Sequence, residues 1–125
     1  MNILFLDDDR SRTKAFFSQI PSAECVETAA ACILALKQQD HWDYVFLDHD
    51  LGGEVHVDSA LEETGMEVVR WIVANRPKIK MVIVHSLHSE GAKRMCRTLE
   101  DAGYIVARIP FAWRQARAWI HEEPE

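Results

Sequence analysis

The sequence predicts an α/β protein with a five-stranded parallel sheet and helices on both of its faces. Five short apolar runs recur along the 125 residues, and segments with helical spacing of apolar residues lie between them. No internal repeat or low-complexity tract interrupts this alternation. Hydrophobic residues make up 48% of the chain, which is enough for one core. We therefore predict a single domain over residues 1–125.

The predicted strands are short, and most of them end at or beside a polar residue. They are residues 3–6, 23–28, 43–48, 80–86 and 104–109. Five strands in a chain of this length favour the flavodoxin-like (βα)5 fold, with a doubly wound sheet of strand order 2-1-3-4-5. In that order the chain adds strand 2 on one side of strand 1 and strand 3 on the other, so the strand order reverses there. The carboxyl ends of strands 1 and 3 then border a crevice.

The predicted helices follow the strands in turn. The first begins after Asp9 and ends before Pro21, and the others cover about 29–39, 62–76, 90–102 and 112–121. The segment 52–61 (GGEVHVDSAL) fits no element and is predicted as a long polar loop. Loops of this length inside compact domains are more often functional than idle, and His56 and Asp58 could close over a ligand there.

Composition narrows the classes of partner and the compartment. A net charge of −6 argues against a large nucleic-acid surface but not against binding one nucleotide or an RNA end. No apolar run is long enough to span a membrane, and the N-terminal one is too short for a signal peptide, so we expect a cytoplasmic protein. The cysteines (Cys25, Cys32 and Cys96) form no CxxC pair, which predicts half-buried thiols rather than zinc ligands or disulfides.

Polar residues capable of chemistry follow three strands that the predicted order makes neighbours. Strand 1 is followed by Asp7-Asp8-Asp9, strand 3 by Asp48-His49-Asp50, and strand 4 by His85-Ser86. Like charges repel, so such a cluster of carboxylates needs a compensating cation. Carboxylate oxygens suit a hard ion, which predicts Mg²⁺ first and Mn²⁺ or Ca²⁺ next. The alternative is that these acids only cap helices and face solvent.

Several of these residues also have a purely structural interpretation. Asp9 is expected to cap the first helix, and Arg10 to form either a surface ion pair or a clamp on a phosphate. His49 could bond a carbonyl over the loop instead of acting in chemistry. In an ideal strand His85 would point away from Ser86, and it reaches the crevice only if the strand has already ended or bulged.

These motifs resemble the receiver domain of response regulators, over about residues 2–120. The resemblance implies that Asp7 and Asp8 are metal ligands and that Asp48 is a phosphoacceptor or metal ligand. It also implies that Asp50 binds the metal through its carbonyl and that Ser86 contacts the phosphoryl group. Pro110 matches the proline after strand 5, which is usually preceded by a lysine and a cis peptide bond. Here the preceding residue is Ile109, and Arg108 points to the other face by strand alternation.

A narrower resemblance accommodates this departure. The stretches LDDDR, LDHDLGG, VHS followed by EGAKRM, and GYIVARIPF are similar to the cyclic-phosphate-processing receiver family. The histidines that set this group apart are here His49 and His85. His88 stands where a side-chain amide is expected.

The resemblance implies an enzyme or binding protein for cyclic phosphates of nucleotides or RNA ends. Hydrolysis needs charge neutralisation, a proton acceptor and a proton donor. His49 and His85 could be the acid–base pair, because imidazole titrates near neutral pH. Ser86 and the Gly52-Gly53 backbone could bind phosphoryl oxygens, with Arg10 stabilising the developing charge.

Two other functions stay open at this point. One is a two-component receiver that is phosphorylated at Asp48 and signals by binding a protein partner. The other is a degenerate receiver that serves only as an interaction module, with the last strand and helix as its partner face by analogy. His41, His88 and His121 are predicted at the surface, and the four tryptophans in helix packing.

Overall fold

The computed structural model describes residues 1–51 and 64–120. Its five strands are parallel and lie in the predicted order 2-1-3-4-5. The elements in chain order are β1 (Ile3–Leu6), α1 (Arg10–Gln19), β2 (Glu24–Val26), α2 (Ala29–Lys37), β3 (His41–Leu47), α3 (Gly65–Asn75), β4 (Lys78–Val84), α4 (Ser89–Asp101), β5 (Val106–Arg108), a 3₁₀ turn (Ala112–Arg114) and α5 (Ala116–Trp119). The predicted flavodoxin-like α/β fold is thereby confirmed.

The core has two layers, one on each face of the sheet. Leu6 and Leu47 belong to the larger layer, which also contains residues of α2, α3 and α4. Phe5 and Phe46 point to the opposite face and pack against Phe16 of α1. Because side chains alternate along a strand, the residues that follow β1 and β3 are also assigned to opposite faces.

The end of the chain differs from the single helix predicted over residues 112–121. Gln115 has φ −132° and ψ 50°, so it separates the 3₁₀ turn from the short α5. The side chain of Gln19 accounts for this break: its Nε2 donates to the Trp113 carbonyl at 3.0 Å, and its Oε1 accepts from the Ala116 N–H at 2.8 Å. These bonds replace helical ones. His121 lies outside the described residues.

Other general predictions have mixed outcomes. Among the described residues no helix is both long and apolar enough to cross a membrane. The three cysteines are free thiols, and two of them, Cys32 and Cys96, are buried. The predicted strand 80–86 has the right length but lies two residues too far along the chain, because β4 runs from Lys78 to Val84.

Candidate functional site

Three carboxylates meet where β1 and β3 end. Asp7, Asp8 and Asp48 each offer an oxygen, and these oxygens lie within 4.8 Å of one another. Asp7 and Asp48 are buried, and Asp8 is half-buried. The parallel pairing of Leu6 with Leu47 brings the two strand ends together, as the strand order predicted. We call these three residues the acid cluster.

Arg12 of α1 neutralises part of this charge. Its Nε donates to Asp7 Oδ2 at 2.8 Å and its Nη2 to Asp7 Oδ1 at 2.9 Å. The same Nη2 lies 3.6 Å from Asp48 Oδ2. Hydrogen bonding to Asp7 raises the pKa of Arg12 further above its ordinary value. The guanidinium is therefore a permanent cation in contact with the acid cluster.

The sequence analysis singled out Arg10 and missed Arg12. Arg10 is the first residue of α1 and lines the rim of the pocket, whereas Arg12 is the third residue of the helix. Helical side chains lean toward the N-terminus, so a long side chain in the first turn returns to the strand end before it. Asp9 accepts from the Arg12 backbone N–H at 3.0 Å, which confirms its predicted role as N-cap.

Asp48 has one oxygen whose bonding is incomplete. Its Oδ1 accepts the His49 backbone N–H at 3.0 Å, but its Oδ2 is buried without a hydrogen-bond partner in the described part of the chain. Burial, followed by the charge of Asp7, raises the pKa of Asp48 to about 8. A buried carboxylate oxygen without a donor fits a site that a cation completes.

Because β4 ends at Val84, both His85 and Ser86 reach the same pocket. His85 Nε2 lies 3.1 Å from the Leu6 carbonyl, which only accepts, so Nε2 carries the proton. The Nδ1 lone pair then faces Asp7 Oδ2 at 3.6 Å. The ring stacks on Phe5, and burial lowers the pKa of His85 to about 4. The predicted approach of His85 to the crevice holds because the strand has already ended.

Ser86 is buried at the base of the pocket. Its Oγ accepts the His88 backbone N–H at 3.1 Å, and its own O–H is available to donate to a ligand.

His49 lies elsewhere. Its side chain lies on the same face of the sheet as Leu47, which is the face opposite to Asp48. There it is fully buried beneath the first turn of α4. A Cβ added at Gly91 would stand 2.5 Å from the His49 ring, so only glycine fits there. His49 is not among the residues that line the pocket at the acid cluster. His49 therefore lies apart from the pocket residue His85, with which the sequence analysis suggested that it forms an acid–base pair.

Asp50 connects His49 with a residue that the sequence analysis placed at the surface. Its Oδ1 lies 2.8 Å from Nδ1 of His49 and 2.8 Å from Nδ1 of His88. The prediction of a surface position for His88 is therefore wrong: its side chain is only 15% exposed, because it packs against His49 and Asp50. Four further residues of interest, Gly52, Gly53, His56 and Asp58, lie outside the described residues.

The pocket above the acid cluster has a volume of about 490 Å³ and one apolar wall. Leu87, which is exposed, and Trp113 form this wall. Trp113 was predicted only to pack, yet its indole Nε1 is buried and finds no hydrogen-bond partner within residues 1–51 and 64–120. The Trp113 side chain thus lines the same pocket as the carboxylates, while its Nε1 is enclosed by the protein.

No side-chain cation reaches the acid cluster from Arg108, the last residue of β5, or from Ile109, which follows it. Ile109 packs into the core layer on the α1 face, and Arg108 lies on the other face near Cys96 of α4. The Ile109–Pro110 peptide is not cis. The predicted orientation of Arg108 is confirmed, and the role of a receiver lysine is left without a counterpart on this strand.

Comparison with known proteins supports this fold and gives the family of the chain. Residues 2–101 match the family described as the cyclic-phosphate processing receiver domain. The chain belongs to this family. A search of curated proteins finds no match.

A solved structure adds a comparison at the level of the fold. The response regulator DrrB from Thermotoga maritima, an OmpR/PhoB homologue, is similar, with a TM-score of 0.58 and 21% identity. The match covers 94% of this chain and 49% of that one, so this chain spans about half the length of DrrB. At this identity the similarity concerns the fold alone.

Proposed function

We propose that this protein binds Mg²⁺ at Asp7, Asp8 and Asp48 and hydrolyses cyclic phosphates of nucleotides or RNA ends in the adjacent pocket. The observation that carries the proposal is the buried Asp48 Oδ2, which has no hydrogen-bond partner among the described residues and lies beside Arg12. Leaving a buried carboxylate oxygen unmatched costs free energy, and a cation in the acid cluster removes this cost.

The donor set favours a hard divalent ion. The three ligands are carboxylates, which suit Mg²⁺ and also accept Mn²⁺ or Ca²⁺. When bound, Mg²⁺ would neutralise charge on phosphoryl oxygens and orient a water molecule. The Asp50 carbonyl remains a proposed fourth ligand on the strength of the family resemblance.

Phosphate recognition falls to side chains around the acid cluster. Arg12 holds Asp7 with Nε and Nη2, and its planar guanidinium suits the bidentate geometry of a phosphoryl group. Arg10 lines the same pocket and is a second cation for the phosphate. The Ser86 hydroxyl supplies a neutral donor at the base.

The reaction consumes one water molecule. A bond forms between the water oxygen and phosphorus, one of the two ring P–O bonds breaks, and the released oxygen keeps the bonding electron pair. A proton from the water ends on that oxygen, which gives a phosphate monoester. We assign the acceptor of this proton to Nδ1 of His85, whose lone pair faces the acid cluster, and the same imidazole returns it to the leaving oxygen.

The apolar wall indicates which cyclic phosphates fit. A nucleobase has a π-face that stacks on an aromatic ring, and Trp113 contributes such a ring to the lining of the pocket. A nucleoside cyclic phosphate would therefore use both sides of the pocket, whereas a cyclic phosphate without a base would use only one.

The test is turnover of a 2′,3′-cyclic nucleotide by the purified protein, followed by ³¹P NMR with and without Mg²⁺. We expect Mg²⁺-dependent formation of the monoester and its loss in Asp8→Asn. Asp9→Asn is the matched control, because asparagine caps a helix as well as aspartate does. Absence of turnover by the wild type with any divalent ion, or full activity in Asp8→Asn, would refute the proposal.

The same unpartnered oxygen favours one second candidate. A phosphoacceptor also needs a carboxylate oxygen that no donor of the protein occupies, and within the described residues Asp48 Oδ2 is such an oxygen. Incubation with a small phosphodonor and Mg²⁺, followed by intact-mass measurement, tests this function. An adduct in the wild type that disappears in Asp48→Asn would support a signalling receiver with a protein partner, whereas no adduct would exclude this candidate.

A further inference from the structure

His49, Asp50 and His88 bring three electron-pair donors to one point between the end of β3 and the start of α4. Asp50 Oδ1 lies 2.8 Å from each of the two Nδ1 atoms, and these nitrogens lie 3.0 Å apart. The three atoms form a closed triangle in which each one contacts both of the others. We call these residues the histidine cluster.

While Asp50 is ionised, protons alone do not satisfy all three contacts of this triangle. Each imidazole nitrogen carries either one N–H or one lone pair in the plane of the ring. If both nitrogens donate to Asp50, two N–H groups face each other across the 3.0 Å contact. If one nitrogen gives up its proton, its lone pair faces the carboxylate oxygen at 2.8 Å. A cation shared by all three atoms removes this conflict.

We propose that the histidine cluster binds a divalent transition-metal ion of the zinc type, as a second metal site separate from the acid cluster. Two imidazoles and a carboxylate are ligands for zinc and its neighbours, whereas the three carboxylates of the acid cluster suit Mg²⁺. Bonds of roughly 2.05 Å to zinc place two ligands about 2.9 Å apart at a right angle and about 3.3 Å apart in a tetrahedron. The observed separations need to change by half an ångström or less.

The protein holds these ligands on ordered elements. His49 is buried at the end of β3, where Gly91 leaves room for its ring and for nothing larger. His88 is the N-cap of α4, and Asp50 pairs with Thr64 in an isolated bridge. His88 and Asp50 each keep 15% of their side-chain surface exposed, which gives an ion a route from solvent.

The second site is adjacent to the proposed active site but does not depend on it. Asp50 lines the pocket that also contains Asp48, so an ion held by the histidine cluster lies close to this pocket. The donors that define the histidine cluster differ from those of the acid cluster, and binding at the two sites is measured without any substrate. Failure of the hydrolysis experiment therefore leaves this inference intact, and the reverse also holds.

The experiment uses the full chain after removal of metals with a chelator. Zn²⁺ is titrated calorimetrically in an excess of Mg²⁺, and Co²⁺ binding is followed by its visible absorption. We expect one Zn²⁺ per chain and a Co²⁺ spectrum of low coordination number. His88→Asn, which keeps a good N-cap, should weaken Zn²⁺ binding at least about 100-fold, because loss of a ligand exceeds the usual cost of losing a supporting residue.

Two further variants make the result specific. His41→Asn removes an exposed histidine at the start of β3 and should bind Zn²⁺ as the wild type does. Asp8→Asn should lose Mg²⁺ binding and keep the Zn²⁺ site. The proposal is overturned if the wild type binds no Zn²⁺ under these conditions, or if Zn²⁺ binding survives His88→Asn unchanged.

Discussion

Arg12 holds both oxygens of Asp7, with Nε 2.8 Å from Oδ2 and Nη2 2.9 Å from Oδ1. The same guanidinium lies 3.6 Å from Asp48, so one cation of the chain itself offsets two buried carboxylates. A divalent ion at the proposed site in the acid cluster would compete for these oxygens. Arg12 would then link the stability of the metal-free protein to its affinity for metal.

Arg12→Gln should destabilise the metal-free protein by about 2 kcal/mol, because it leaves two buried carboxylates without their cation. The expected loss is not larger because about a quarter of the arginine side chain is exposed to solvent. Mg²⁺ should stabilise this variant more than the wild type. Thermal unfolding in EDTA and in Mg²⁺ measures both effects. Arg10→Gln is the control and should change neither, and equal Mg²⁺ responses in the two variants would contradict competition by Arg12.

The stability of the metal-free protein should fall as the pH rises from 6.5 to 8. Burial raises the pKa of Asp48 from 3.8 to about 8, so the folded state binds a proton that the unfolded state has released. The stabilisation from Asp48 is complete below pH 3.8 and is lost as the pH rises through 8.

The opposite contribution comes from His85, whose pKa is lowered by burial from 6.5 to about 4. Its stabilisation is complete above pH 6.5 and is lost toward pH 4, which makes 6.5–8 the informative window for Asp48. Denaturant unfolding in EDTA at several pH values checks this. Asp48→Asn should flatten the slope in that window, and a slope that persists in the variant would assign the effect to another group.

His85→Gln should lower kcat for a cyclic nucleotide about 100-fold and leave KM within a few-fold of the wild type. In the proposed mechanism His85 accepts a proton in the transition state, whereas phosphate binding is assigned to Arg12 and Ser86. Steady-state kinetics at saturating Mg²⁺ separate the two constants. A rise in KM at unchanged kcat would show that His85 acts in binding and not in proton transfer.

Trp113→Ala should reduce kcat/KM for 2′,3′-cyclic nucleotides about 10-fold and leave the value for glycerol cyclic phosphate unchanged. Stacking of a base on an aromatic ring contributes roughly 1–3 kcal/mol, and only the nucleotide has a base to stack. Phe17→Ala removes an exposed aromatic ring on α1 and serves as the control. Equal losses for the two substrates would indicate structural damage and not base recognition.

Gly91→Ala should destabilise the protein by about 1–2 kcal/mol although alanine is the better helix former. The new Cβ would stand 2.5 Å from the buried His49 ring, and overpacking of this kind outweighs the helical gain of about 1 kcal/mol. Calorimetric unfolding measures the change, with the exposed Lys93→Ala in the same helix as control. A stabilised Gly91→Ala protein would mean that the His49 ring moves aside at little cost.

Much of this protein follows from local patterns in its sequence. The alternation of apolar runs with helical segments determines the strand order, and the strand order brings Asp7, Asp8 and Asp48 together, because carboxyl ends of parallel strands share one edge. Helix capping by Asp9 and the outward direction of Arg108 also follow from local rules.

The remaining features depend on distances between side chains far apart in the chain, which no local pattern encodes. The termination of β4 at Val84 decides that His85 joins Ser86. The length and lean of an arginine side chain decide that Arg12, two residues beyond Arg10, contacts the acids. The start of α4 places His88 against His49, 39 residues earlier, because Gly91 in the first turn of that helix packs against the His49 ring.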